Sequence, residues 1–228
     1  MEHRLWLCLL ALRAHLKSNG TILDAGANNG RSAVQIASKF RNHTVLAIEP
    51  VRSNVVNILR LAQNLPNVRV AQVGLSNVTG GFDSYGASLD KMSTYGETGP
   101  QFGSILKYNL RQRNEQTRVF FNLTTIDSLL EESPSVAFLH LDLEGAELLA
   151  LSGAVCTITK HRPLLSVESF PVSRKRQHLE VTNFLKFLKY EVYRVPESCG
   201  ADDCFNSIGI PIELQIQIPS VCVCETCH

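Results

Sequence analysis

The chain has 228 residues, of which 44% are hydrophobic and 19% are charged, a balance typical of one globular domain with a sizeable apolar core. Its 22 basic and 21 acidic side chains leave a formal net charge of +1. Such near-neutrality offers no extended positive surface. The composition therefore argues against a nucleic-acid-binding protein and against one held at an anionic membrane.

Residues 1–20 are predicted to form an N-terminal helix that packs beside the domain. The apolar run from Leu5 to Leu12 has eight residues, too few to span a bilayer as a helix. Because it follows the short start "MEHR", it also resembles the apolar part of a secretory signal peptide. No small-residue cleavage site follows it, so the packed helix is the favoured interpretation.

From residue 21 to residue 195, short β-type runs alternate with segments whose apolar residues recur at helical spacing. The predicted strands are "TILDAG" (21–26), "TVLAIEP" (44–50), "NVRVAQV" (67–73), "VAFLHLD" (136–142), "PLLSVES" (163–169) and "YEVYRV" (190–195). The predicted helices cover 33–40, 55–62 and 181–188. This alternation indicates an α/β fold: an open, mostly parallel twisted sheet with right-handed crossovers and helices on both faces.

Two segments depart from this alternation. Residues 77–117 are rich in Gly, Ser, Thr, Tyr and Asn and show no clean period, which predicts a substrate or lid loop. In "IELQIQI" (212–218), apolar and polar residues alternate, which predicts a one-sided strand at an antiparallel edge of the sheet. The domain is therefore expected to span 21–218, followed by a Cys-rich tail at 219–228.

Seven cysteines divide into two groups. Cys8 and Cys156 lie in apolar surroundings and are predicted to be buried thiols. The other five crowd into the last thirty residues, at Cys199, Cys204, Cys222, Cys224 and Cys227. Disulfides, a soft-metal site and a loose tail each fit that density, so the tail alone does not choose between them.

The cellular compartment is left open by the same features. Asn-x-Ser/Thr sequons begin at Asn19, Asn42, Asn77 and Asn122. They permit N-glycosylation if the chain enters the secretory pathway, without showing that it does. A cytoplasmic location is slightly favoured.

The stretch "TILDAGANNGRS" (21–32) places an acid and a glycine-containing loop at the end of the first strand. In an open α/β sheet, ligands bind beyond the carboxyl ends of the strands, beside the first strand. Gly26 is expected to allow close backbone approach to a ligand, and Gly30 to start a helix with an electropositive N-terminus. The spacing D-x-G-x-x-x-G puts Asn28 where a dinucleotide site needs a glycine, which argues against a pyrophosphate ligand such as NAD.

S-adenosylmethionine carries an ammonium group and a sulfonium cation and has no phosphate, so an acid such as Asp24 suits it. Glu49, at the end of the second strand, is placed to accept hydrogen bonds from both ribose hydroxyls, and Ser76 falls near the expected adenine. The predicted cofactor-binding residues are Asp24, Gly26, Ala27, Asn28, Asn29, Gly30, Glu49, Pro50, Leu75 and Ser76. The alternative is a tight strand–helix turn followed by a solvated Glu49.

Five segments, "LDAGANNGRSA", "AIEP", "TTID", "FLHLDLEGAELLALSGA" and "RPLLSVES", occur in this order. Together they resemble the FkbM family of S-adenosylmethionine-dependent methyltransferases over about residues 21–195, most specifically in "LDLEGAE" followed by "LSGA". The resemblance implies a class I methyltransferase (Rossmann-like) fold and, in most cases, methylation of a hydroxyl on a sugar or natural product. The family usually has Lys two residues before the strand-end acid, where this chain has His140. If that position orients the substrate, this chain prefers another acceptor.

Three carboxylates lie where such a fold has its reactive rim: Asp142, Glu144 and Glu168. Methyl transfer to a hydroxyl needs positioning and a base for the proton, and Asp142 is the first candidate for base or substrate clamp. His140 is a further candidate, against the alternative of a hydrogen-bonded strand histidine. Clustered carboxylates also suit a divalent cation such as Mg²⁺, while helix N-terminal capping is the competing role for Glu144 and Glu147.

The sequence therefore predicts an S-adenosylmethionine-dependent methyltransferase that methylates a hydroxyl of a small molecule or glycan. N-methylation is the nearest enzymatic alternative, disfavoured because no N-P-P-Y-type segment follows the fourth strand. A non-catalytic S-adenosylmethionine-binding domain is the alternative from another class, and it would need the loop but not the three carboxylates. Neither the acceptor nor the oligomeric state follows from the sequence.

Overall fold

The computed structural model describes residues 3–83, 120–169, 175–196 and 205–222. Its helices are α1 (His3–Ala11), α2 (Arg31–Lys39), α3 (Arg52–Leu61), α4 (Ile126–Leu130), α5 (Glu147–Ser152), α6 (Val155–His161) and α7 (Lys175–Phe187). Its strands are β1 (Thr21–Ala25), β2 (Thr44–Ile48), β3 (Val68–Ala71), β4 (Gly74–Leu75), β5 (Gly80–Asp83), β6 (Phe120–Thr124), β7 (Val136–Leu141), β8 (Leu164–Ser169), β9 (Tyr190–Pro196) and β10 (Phe205–Pro211). Short 3₁₀ turns occupy Arg13–His15, Ile212–Leu214 and Ser220–Cys222.

Seven strands form one open sheet in the order β3-β2-β1-β7-β8-β10-β9. The pairs from β3 to β8 are parallel, and β10 runs antiparallel to both β8 and β9. This confirms the predicted mostly parallel sheet, and each strand predicted between residues 21 and 195 is present. The strand order changes direction between β1 and β7, so their carboxyl ends meet at the switch point where such sheets bind ligands.

Helices cover both faces of this sheet, as predicted. Strands β1 and β7 are buried along their whole length, which accounts for their near-continuous apolar sequences. Successive side chains of a strand point to opposite faces, so Ile22 packs in one core cluster and Leu23 in the other. Helices α1, α2 and α3 line the first cluster, and α4 to α7 line the second.

Helix α1 is part of the first core cluster. Its side chains Leu5, Trp6 and Leu9 are buried, as is Leu12 just beyond its end. Burial of an apolar side chain of this size stabilises the fold by about 1.5–3 kcal/mol relative to exposure. Helix α1 therefore packs beside the sheet. Within the described ranges, no helix combines the length and apolar character that a membrane crossing requires.

The prediction for "IELQIQI" (212–218) is wrong, because these residues do not form a strand. The antiparallel strand is β10, immediately before them, and it lies one place in from the edge, between β8 and β9. After β10 the chain makes a 3₁₀ turn, and Gln215 adopts a left-handed conformation with φ of 48° that interrupts an extended chain. Ile216 still packs into the first core cluster, which explains part of the apolar alternation.

The predicted lid at 77–117 falls mostly outside the described residues, which stop at 83 and resume at 120. Its first part contains β5, which pairs antiparallel with β6. With β4, these strands make a small three-stranded sheet in the order β4-β6-β5. The hydrophobic pattern of the sequence did not predict this sheet. The role of residues 77–117 as a substrate or lid loop stays a prediction.

Both predictions for the isolated cysteines are wrong. Cys8 forms a disulfide with Cys222, linking α1 to the turn at Ser220–Cys222, and both residues are fully buried. Cys156 is a free thiol, but it is exposed on α6. The start of the Cys-rich tail is thus fastened to the core, while Cys199, Cys204, Cys224 and Cys227 lie outside the described residues.

Candidate active site

The loop between β1 and α2 has three residues in the left-handed region: Gly26 with φ of 85°, Asn28 with 47° and Gly30 with 83°. A Cβ atom at position 26 would lie 1.8 Å from the carbonyl oxygen of Asp142, and one at position 30 would lie 2.8 Å from Cγ1 of Ile58. Both glycines are therefore required by contacts within the protein, in addition to any ligand. Asn is among the few other residues that tolerate this conformation, which explains Asn28.

Glu49 fastens this loop to the end of β2. Its Oε2 accepts a hydrogen bond from the backbone N–H of Asn28 at 2.9 Å, and its Oε1 accepts one from Val51 at 2.8 Å. The residue is 4% exposed, so the alternative of a solvated Glu49 is wrong. Burial raises the pKa of Glu49, and the hydrogen bond from Val51 is the largest effect that opposes this rise. The Asn54 side chain also hydrogen-bonds to this carboxylate.

Asp24 is buried at the end of β1, behind the loop. Its Oδ2 accepts a hydrogen bond from Ser32 Oγ at 2.7 Å, which ties β1 to the first turn of α2. His140 on β7 lies directly opposite, with Nε2 at 4.0 Å from Asp24 Oδ1. The edge of Trp6 packs on the His140 ring at 5.2 Å between centroids. His140 is therefore held in the core between α1 and Asp24, and its catalytic role stays a prediction.

The predicted acids Asp142 and Glu168 come together because they end the neighbouring strands β7 and β8. Their side chains share a hydrogen bond. Burial, followed by the negative charges of Asp142, Glu147 and Glu144, raises the pKa of Glu168 far above its usual range. Such a rise favours a pair in which the two carboxyl groups share one proton. Glu144 is exposed, on a left-handed turn with φ of 55°.

Glu147 is a structural residue of the site that the predicted catalytic set left out. Its Oε1 accepts hydrogen bonds from the backbone N–H groups of Leu143 and Gly145, both at 3.0 Å, and its Oε2 accepts one from Gln177 on α7. It is 1% exposed. Instead of capping its own helix in the usual way, it holds the loop that carries Asp142 and Glu144. The "EGAE" spacing was the signal that could have indicated this role.

Residues of the segments "TTID" (124–127) and "LSGA" (151–154), quoted above for the family resemblance, connect α4, α6 and the loop at Ser76. Thr125 caps α4 by accepting a hydrogen bond from Ser128 N–H at 3.0 Å. Asp127 accepts hydrogen bonds from the first N–H groups of α6, at Cys156 and Thr157. Gly153 allows close approach of Ser76, since a Cβ there would lie 2.3 Å from the Ser76 carbonyl oxygen.

The remaining predicted cofactor residues lie at the same edge. Ser76 is buried and donates its N–H to Thr124 O at 3.0 Å, directly after the buried Leu75. Ala27 is buried and donates its N–H to Ile48 O, and Pro50 follows Glu49. Asn29 accepts a hydrogen bond from Asn57 on α3 at its backbone oxygen, at 2.7 Å.

Asp127→Ala is expected to lower the free energy of unfolding by about 0.5–2 kcal/mol, because two N–H groups at the start of α6 lose their acceptor. Urea unfolding monitored by circular dichroism measures this change. Asp127→Asn retains one side-chain oxygen and should lose less. An alanine variant as stable as wild type would show that the cap contributes nothing.

Glu168→Gln is expected to flatten the pH dependence of stability. A carboxyl group with a raised folded-state pKa binds its proton more tightly when folded, so the free energy of unfolding falls as pH rises above the ordinary value of 4.5. Gln cannot ionise, so the free energy of unfolding of the variant should rise relative to that of wild type as the pH increases from about 5 to 9. Urea unfolding across this range measures the difference. Glu132→Gln, at an exposed position, is the control. If the free energy of unfolding varied with pH in the same way for Glu168→Gln and wild type, the raised pKa of Glu168 would be contradicted.

The predicted Mg²⁺ alternative concerns the same carboxylates. Among the described residues, no group of three or more His, Cys, Asp or Glu side chains is placed to hold a metal ion. The Mg²⁺ alternative therefore stays a prediction.

Three solved structures share this architecture. A methyltransferase FkbM from Methylobacillus flagellatus KT has a TM-score of 0.58 at 19% identity, covering 88% of this chain and 47% of that one. An rRNA methylase from Streptococcus thermophilus has a TM-score of 0.53 at 12% identity, covering 91% and 96%. A candidate methyltransferase from Streptococcus mutans, solved in complex with SAH, has a TM-score of 0.50 at 14% identity, covering 92% and 98%. At these identities the likeness shows the fold.

The chain spans about half the length of the Methylobacillus flagellatus KT protein. No curated protein matches the sequence significantly. The family model for the methyltransferase FkbM domain, in contrast, matches residues 24–195, from Asp24 at the loop to the last residues of β9. Because this match spans most of the chain and contains the loop, Glu49, Asp142 and Glu168, the chain belongs to the FkbM methyltransferase family.

Proposed function

We propose that this chain is an S-adenosylmethionine-dependent O-methyltransferase that acts on a hydroxyl of a small molecule or glycan. The observation that carries the proposal is the contact between Gly26 and the backbone of Asp142. It brings the loop at the end of β1 directly against the acidic pair at the ends of β7 and β8. A ligand held by the loop therefore lies beside the carboxylate that the chemistry needs.

The residues of the loop fit S-adenosylmethionine better than a dinucleotide. Asp24 and Glu49 supply buried carboxyl groups, which suit a cationic ligand and its ribose hydroxyls. The side chain of Asn28 occupies the position at which a pyrophosphate requires a glycine. Family membership supports the same cofactor.

The acidic pair supports transfer to oxygen. When bound, the cofactor supplies a methyl group on a sulfonium centre. The acceptor hydroxyl must lose a proton, and Asp142 is the carboxylate of the pair that can accept it. We assign the shared proton of the pair to Glu168, which then donates a hydrogen bond to Asp142 and orients the base. Glu147 holds the loop that follows Asp142, so the base is supported on both sides.

Isothermal titration calorimetry tests the cofactor assignment. S-adenosylmethionine or its demethylated product SAH should bind, and NAD should bind far more weakly. Incubation with methyl-labelled S-adenosylmethionine and an array of glycans, small alcohols and amines then tests the reaction. Label on hydroxyl acceptors supports the proposal, and label confined to amines would replace it with N-methylation. Tight SAH binding with no transfer to any acceptor favours a non-catalytic binding domain. Tighter binding of NAD would overturn the cofactor assignment.

A further inference from the structure

The disulfide between Cys8 and Cys222 bears on where this protein is made. It joins residues 214 positions apart, and both partners are fully buried, one on α1 and the other in the turn that packs against it. Disulfides of this structural kind form and persist in oxidising compartments and are rare in the cytoplasm. The bond therefore points away from the cytoplasmic location that the sequence slightly favoured.

The sequons give a second, independent observation. All four asparagines, at Asn19, Asn42, Asn77 and Asn122, are exposed. A glycan on any of them would point into solvent and would not have to enter the core. Exposure in a loop or at a strand surface is the condition that an N-glycosylated residue must meet in the folded protein.

Asn19 and Asn42 share one location, at the amino-terminal edge of the sheet. The threonines of their sequons, Thr21 and Thr44, are the paired first residues of β1 and β2. The two loops also touch, since a ring nitrogen of His43 is hydrogen-bonded to the carbonyl oxygen of Lys17 at 3.1 Å. Parallel strands put this edge opposite the candidate active site, about 13 Å away along β1 at ~3.3 Å per residue.

Asn77 and Asn122 lie on the other side of the molecule. Asn77 follows Ser76 and accepts a hydrogen bond from its hydroxyl at 3.4 Å. Asn122 lies on β6, whose Thr124 pairs with Leu75. Both positions are close to the expected adenine site, where a bulky glycan would crowd the cofactor.

We propose that this chain matures in an oxidising secretory compartment and carries N-linked glycans at Asn19 and Asn42. In the transfer, the anomeric carbon of the oligosaccharide bonds to the Asn amide nitrogen as its bond to a lipid-linked pyrophosphate breaks. The amide loses one proton, and the lipid pyrophosphate leaves. The Cys8 and Cys222 thiols pass two electrons and two protons to a disulfide-exchange oxidant of the same compartment. The glycans project from the amino-terminal edge of the sheet, opposite the candidate active site.

The test is secretion of the full chain from insect cells behind a cleavable signal peptide, followed by peptide mapping under non-reducing conditions. The expected result is glycan at Asn19 and Asn42, shown as Asn-to-Asp conversion after N-glycosidase treatment in heavy-oxygen water, and a linked Cys8–Cys222 peptide. Asn19→Gln and Asn42→Gln should each remove one glycan, whereas Asn64→Gln, an exposed non-sequon position, should remove none. SAH affinity should be unchanged by glycan removal.

A reference sample made in the bacterial cytoplasm and kept reduced completes the comparison, and its Tm should be lower than that of the oxidised protein. Absence of glycan from both Asn19 and Asn42, or glycan confined to Asn77 and Asn122, would overturn the proposed glycosylation of Asn19 and Asn42. Recovery of Cys8 as a free thiol in folded, secreted protein would overturn the proposed maturation in an oxidising compartment. These readouts do not depend on methyl transfer, so they remain decisive if the proposed activity is wrong.

Discussion

Asp142→Asn is expected to lower turnover by about 10²-fold or more while leaving the affinity for SAH nearly unchanged. The substitution keeps the size of the side chain and much of its hydrogen bonding but removes the negative charge that would accept the acceptor proton. The loop contact is made by the backbone carbonyl of Asp142, and the substitution does not alter it. Single-turnover rates with a proven acceptor, together with SAH calorimetry, measure the two effects separately.

Glu168→Gln is the matched control for this experiment. Its amide N–H can donate to Asp142 as the protonated acid does, so turnover should stay within about tenfold of wild type. If Glu168→Gln lost activity and Asp142→Asn kept it, the roles would be exchanged and Glu168 would be the base. Base catalysis without a metal predicts that a chelator leaves wild-type turnover unchanged, whereas chelator sensitivity would support the metal alternative.

Gly26→Ala should abolish measurable SAH binding by calorimetry and lower the Tm. The new Cβ would lie 1.8 Å from the Asp142 carbonyl oxygen, and it would force a side chain into a backbone with φ of 85°. A left-handed non-glycine residue alone costs of order 1–3 kcal/mol, and the clash with backbone adds to this cost. The loop must move away from β7, and the ligand site moves with it. Gly26→Val should be at least as severe.

Gly80→Ala provides the comparison, because a Cβ at that position meets no atom within 4 Å. It should bind SAH with wild-type affinity. If Gly26→Ala binds SAH as well as Gly80→Ala does, the loop does not form the cofactor site. Circular dichroism of both variants separates loss of the site from loss of the fold.

Much of the fold was predictable because its evidence is local. The near-continuous apolar runs "TILDA" and "VAFLHL" reflect strands buried on both faces, and the helical spacing of Ala33 to Phe40 reflects a helix with one buried face. The loop that contains Gly26 and Gly30 was recognisable because left-handed backbone favours glycine. The acid at the end of β2 could be assigned to the same edge because parallel strands end together.

What the sequence determined by itself is therefore the parallel α/β sheet, the loop at the end of β1, and the carboxylates at the strand ends. The tertiary structure decided the Cys8–Cys222 disulfide, the insertion of β10 between β8 and β9, and the raised pKa of Glu168. Each of these depends on groups far apart in the chain: a bond across 214 residues, a strand that pairs with two earlier ones, and three acids around a buried fourth. Hydrophobic periodicity reports which way a side chain faces, but not which distant residue it meets, and a pKa is set by the charges that burial brings together.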